Sequence, residues 1–62
     1  MKPDWEDAPE WAKHLAMDSD GRWAWHEREP QMYAGGWVSN GRVRHAAYQE
    51  LPEWDDSLEP RP

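Results

Sequence analysis

Cysteine is absent from these 62 residues, which excludes disulfide staples, thiolate metal ligands and a cysteine nucleophile, and points by composition to a reducing compartment. No apolar run approaches the roughly 20 residues of a transmembrane helix. The opening Met1-Lys2-Pro3-Asp4 leads into acidic sequence, unlike the apolar stretch of a secretory signal. The expectation is a soluble, cytoplasmic protein with no membrane partner. Serine is scarce, limited to Ser19, Ser39 and Ser57, and none sits in a Gly-x-Ser-x-Gly elbow; a glycine-rich phosphate loop is missing as well. His14, His26 and His45 are spaced too widely for a compact ligand pattern such as H-x₃-H. Asp18-Ser19-Asp20-Gly21 lacks the third alternating oxygen ligand and the later glutamate of a calcium loop, so it reads as a turn. No catalytic residue, cofactor or metal is expected.

What the chain has is tryptophan and charge. A single domain over 1–62 this short buries only about 60% of its unfolded surface, so its core must be thin. Six tryptophans supply that core with large apolar area. The net charge is −6 and unevenly placed. Residues 1–20 set Lys2 and Lys13 against six acids, residues 50–62 set Arg61 against five, and the centre is mildly basic through Arg22, Arg28, Arg42 and Arg44. Acidic arms flanking a weakly basic middle make direct nucleic-acid binding unlikely.

Asp7 in a capping-box spacing with Glu10, and Pro9 in the first turn, predict a short helix over residues 8–17 with Trp11 and Leu15 on one face. Asp18 to Gly21 ends it, Gly21 being suited to positive φ. Beyond it the period becomes two, and Trp23 and Trp25 share one strand face, assigned to the core against Trp11. Asn40-Gly41 predicts a two-residue hairpin between strands 32–39 and 42–48, with Val38 facing Val43 and Trp37 facing Arg44. Three prolines after Glu50 predict an irregular tail over 50–62 pinned by Trp54. The expected fold is α+β: a short N-terminal helix on a three-stranded antiparallel sheet spanning 22–48, followed by that proline-rich tail.

Two resemblances bear on function. The segment from Asp20-Gly21-Arg22-Trp23 to Met32-Tyr33-Ala34-Gly35-Gly36-Trp37-Val38-Ser39-Asn40-Gly41 resembles one choline-binding cell-wall repeat, a type that works in tandem arrays, whereas one unit is present here. Trp5-x-x-Ala8-Pro9-Glu10-Trp11-Ala12, Asp18-x-Asp20-Gly21-x-Trp23-x-Trp25-x-Glu27-x-x-Pro30 and Trp54-x-Asp56-Ser57-Leu58-Glu59-x-Arg61-Pro62 resemble the small Trp-rich proteins of tailed bacteriophages and prophages. The second resemblance implies an accessory protein made in the bacterial host that binds, and inhibits, a host or phage protein; acidic nucleic-acid mimicry is a narrower form of that reading. The rival is a carbohydrate- or peptide-binding module built on Trp23, Trp25 and Trp37. Trp37, Trp54, Tyr48, Arg44 and Arg42 are the candidate partner-binding residues, and a homodimer is left open.

Overall fold

A computed structural model describes residues 2–50 and 53–62. Six strands form two antiparallel sheets: β1 (His14–Met17), β2 (Arg22–His26), β3 (Gln31–Tyr33), β4 (Gly36–Val38), β5 (Val43–Tyr48) and β6 (Glu59–Pro60). The larger sheet has the order β5-β2-β1-β6, and β3 and β4 make a separate two-stranded hairpin. The only helical elements among the described residues are two three-residue 3₁₀ turns, Trp5–Asp7 and Trp54–Asp56. The α+β expectation is therefore corrected to a mostly antiparallel β fold.

The expected helix over 8–17 fails at both ends. Asp4, not Asp7, is the cap, accepting the Glu6 N–H at 2.9 Å. Ala8 is extended (φ −70°, ψ 142°), because the ring of Pro9 disfavours helical geometry in the residue before it. Downstream, Leu15 and Met17 alternate with His14 and Ala16, and β1 pairs with β2 in the register Leu15↔Trp25, Met17↔Trp23. The Trp11/Leu15 spacing fits a helix as well as an extended chain; burial against two tryptophans decides for the strand. Leu15 is completely buried, and Ala12, Leu15, Met17, Trp23 and Trp25 form the core. Trp5, Ala8, Trp11, Ala47 and Trp54 pack around it. The opposite face of the sheet carries His14, Ala16, Ala24 and His26, the last three also buried.

The expected hairpin at Asn40-Gly41 is also overturned. The tight turn lies at Ala34-Gly35, where both residues have positive φ (44° and 87°), the signature of a type I′ turn. It joins β3 to β4, with Gln31↔Val38, Met32↔Trp37 and Tyr33↔Gly36 opposed. Asn40 and Gly41 have no positive φ. Instead the Ser39 hydroxyl accepts the Gly41 N–H (3.2 Å) and donates to its carbonyl (2.9 Å). This local bonding turns the chain without a two-residue hairpin. β5 then crosses to β2, so Trp25, not Trp37, lies opposite Arg44.

The tail is not irregular throughout, although its residues 51–52 lie outside those described. β6 pairs with β1 through His14↔Pro60 and Leu15↔Glu59. Before β6 begins, the Ser57 hydroxyl accepts the Met17 N–H (2.7 Å) and lies 3.1 Å from the Met17 carbonyl, standing in for a strand. Arg61 closes the molecule: its guanidinium donates to the carbonyls of Pro9 (3.1 Å) and Ala12 (2.7 Å) and lies 5.6 Å from the Trp5 ring. These bonds satisfy carbonyls that proline-rich, non-helical chain leaves open.

Candidate functional site

The five candidate residues fall into two groups. Trp37 and Trp54 belong together, their rings edge to face with centroids 6.3 Å apart. Both are half-buried. The Trp37 indole N–H points at the carbonyls of Met17 (3.0 Å) and Trp54 (3.2 Å), and its backbone N–H donates to Asp18 Oδ1 at 2.8 Å. Ser19 N–H adds a bond to the Gly35 carbonyl at 3.0 Å. Trp37 thus fastens the β3–β4 hairpin to the end of β1.

Arg42, Arg44 and Tyr48 lie along β5 and its approach. Arg42 is held by Glu27, which accepts both its backbone N–H and its guanidinium at 3.0 Å, and its guanidinium sits 5.1 Å from the Trp11 ring. Arg44, exposed and opposite Trp25, makes no salt bridge among the described residues. Tyr48 is 60% exposed and borders a groove of about 550 Å³ with Asp20, Arg22 and His45.

The hairpin brings forward residues that the sequence reading did not single out. Tyr33 is 73% exposed, Met32 54% and Val38 50%. Alternation places Tyr33 and Val38 on one face of the hairpin and Met32 with Trp37 on the other. A shallow cleft of about 360 Å³ runs from Tyr33 and Val38 to Asp18 and Asp20. The signal was present in Gln31-Met32-Tyr33 and Gly36-Trp37-Val38, two alternating triplets about Ala34-Gly35. Asn40-Gly41, the stronger turn dipeptide, masked it.

Trp23 and Trp25, two of the three rings a carbohydrate-stacking module would use, are buried in the core. His14 and His26 oppose each other on β1 and β2, and the Nδ1 of each is buried without a hydrogen-bond partner. His45 lies apart, on β5. No cluster of three metal-ligating side chains occurs among the described residues.

Burial pushes His26 below its ordinary value of 6.5; the Asp18 carboxylate opposes that shift and His14 adds to it. The bonds from the Arg42 backbone N–H and guanidinium hold Glu27 below 4.5. Burial pulls Glu59 upward, but the Lys2 ammonium and the Trp5 indole N–H, at 2.6 Å, outweigh it and leave Glu59 below 4.5. All three shifts act in one direction. An unfolded chain takes up the His26 proton more readily than the folded one, so stability falls as pH drops below 6.5. The Glu27 and Glu59 contributions persist above 4.5 and disappear as pH falls through their lowered folded values. Urea midpoints should decline in two stages, and His26→Gln should remove the upper stage while sparing the lower.

No family model, curated protein or solved structure matches this chain. No helix among the described residues is long and apolar enough to cross a membrane.

Proposed function

We propose that this chain is a non-enzymatic accessory protein, of phage origin, that binds and inhibits a host or phage protein through the outer face of the β3–β4 hairpin. One observation carries the reading: three of the five large apolar side chains exposed among the described residues, Met32, Tyr33 and Val38, fall within this one hairpin, Tyr33 and Val38 on its outer face and Met32 on the Trp37 side. Isolated exposed apolar residues need no explanation, but a concentration on a short element that is itself pinned down suits a recognition surface. Tyr33 supplies the aromatic anchor, and Asp18 and Asp20 supply the acidic rim. Trp37 serves the hairpin from behind, by holding it in place.

The test is capture from bacterial lysate with immobilised wild-type protein, repeated with Tyr33→Ala and Val38→Ser. Neither side chain belongs to the core, so circular dichroism should be unchanged. Loss of the captured protein with Tyr33→Ala, equivalent to about 2 kcal/mol or more of affinity, supports the hairpin; undiminished capture by both variants removes it. Nucleic-acid mimicry through the exposed acids Glu53, Asp55 and Asp56 is the rival form of the reading, and salt separates the two. Mimicry makes binding fall steeply with salt, whereas an aromatic anchor makes it nearly insensitive.

A further inference from the structure

His14 and His26 are too far apart in the sequence to form a ligand motif, but the pairing of β1 with β2 makes them direct cross-strand neighbours. They lie on the face opposite Leu15 and Trp25, and His26 is only 3% exposed. The Nδ1 of each is closed to solvent and has no hydrogen-bond partner. A buried polar nitrogen without a partner is costly, and two on opposed residues call for a common explanation.

The chemistry of imidazole narrows what that is. An outside acceptor would satisfy only a nitrogen that carries a proton, whereas a metal ion takes the lone pairs of two neutral rings at once. Directly opposed residues have Cβ atoms about 5 Å apart, and metal–imidazole bonds are about 2 Å long. One ion between the rings is therefore on the right scale.

The number of ligands then selects the ion. The chain has no cysteine, and no group of three metal-ligating side chains occurs among the described residues. Zn²⁺ requires four ligands, and Ca²⁺ and Mg²⁺ require six or more, mostly oxygen. Water cannot make up the difference beside nitrogens that solvent does not reach. Copper binds imidazole well, and in its monovalent, filled-shell form it is satisfied by two nitrogens in line. We propose that His14 and His26 hold a two-coordinate cuprous ion through their Nδ1 atoms. The Asp18 carboxylate, close enough for its charge to act on His26, offsets the charge that the ion brings. The proposal is independent of the hairpin reading, because neither histidine belongs to β3 or β4.

The test is anaerobic titration of the full chain with Cu⁺ alone, in competition with a chromophoric Cu⁺ chelator, followed by NMR of the imidazole groups. One equivalent should bind, shifting the His14 and His26 resonances and not those of His45, and X-ray absorption should give two nitrogen ligands. His14→Gln and His26→Gln should each weaken binding by more than about 100-fold, beyond the loss typical of a residue that only supports a ligand. Circular dichroism checks their folding, and half-buried His14 carries the test if His26→Gln unfolds. His45→Gln and Met32→Leu, which remove an exposed imidazole and an exposed thioether, should leave affinity within about threefold of wild type. Zn²⁺ at about 100 μM should leave both histidine resonances in place, since it would lack two of its four ligands. Absence of Cu⁺ binding, a folded His14→Gln that binds as tightly as wild type, or loss of binding in His45→Gln or Met32→Leu overturns the proposal. Zn²⁺ bound as tightly as Cu⁺ overturns the two-coordinate site.

Discussion

Trp37→Ala is expected to lower the unfolding free energy by about 3 kcal/mol and to release the β3–β4 hairpin. The ring is half-buried, so the loss would be smaller if packing were its only contribution. Its N–H, however, is the link to the Met17 and Trp54 carbonyls, and its ring closes against Trp54. Removal takes the indole donor from both carbonyls, which Ser57 also serves, and opens a gap beside β1. Thermal unfolding gives the stability change, and heteronuclear relaxation gives the mobility of residues 31–38. A variant of native stability that has lost only partner affinity would make Trp37 an exposed anchor and contradict the fastening role. Trp37→Phe separates packing from bonding: it should recover part of the stability while the Met17 and Trp54 carbonyls still lack the indole donor.

Gly21→Ala is expected to have an effect at least as large. Gly21 has φ +90°, which costs an L-residue about 1–2 kcal/mol. A Cβ built there would lie 2.1 Å from the Gln49 carbonyl oxygen, a backbone atom, and 3.1 Å from the Tyr48 ring. The strand end cannot retreat cheaply, because Gln49 N–H is bonded to the Gly21 carbonyl at 2.8 Å. Strain and clash add, and a total above about 3 kcal/mol would leave a 62-residue domain largely unfolded. Urea titration followed by tryptophan fluorescence measures this directly. A midpoint within error of wild type would mean that β5 does not end against the β1–β2 loop.

Some of this was legible in the sequence. Alternation identified β2 and paired Trp23 with Trp25 on one buried face, because a period of two with large aromatics has few other solutions; Trp11 does pack beside them, but not on the helix expected to bring it there. Asp18 to Gly21 was identifiable as a turn, since Gly21 alone there tolerates the required φ. The helix over 8–17 was not excluded by residue pattern: Asp7, Pro9 and Glu10 satisfy the local rules for a helix start, and only pairing with β2, invisible locally, makes residues 14–17 a strand. Asn40-Gly41 misled for a similar reason. The dipeptide has the right intrinsic preference, yet Ser39 supplies competing local bonds, Glu27 holds Arg42 from a distant part of the chain, and Ala34, a residue that rarely adopts positive φ, takes the turn instead. Of the candidate site, Arg44 and Tyr48 were identified as residues of one strand, with Arg42, expected to open it, lying just before it. The separation of Trp37 and Trp54 from them depends on long-range bonds to Met17 and between each other, which no spacing rule encodes.

On the proposed reading the tryptophans hold the sheet and its hairpin together, and recognition falls to Tyr33 and its neighbours. Hydrogen exchange of the six indole N–H groups, resolved by NMR, tests it most directly. The indoles of Trp5, Trp23 and Trp37 donate to Glu59, Gln49 and the Met17 carbonyl at 2.6, 3.0 and 3.0 Å. All three should exchange far more slowly than a free indole, with Trp37 protected although its ring is half-exposed. Exchange of the Trp37 indole at the free rate, with Trp5 and Trp23 protected, would show that the hairpin is not fastened and would contradict the claim.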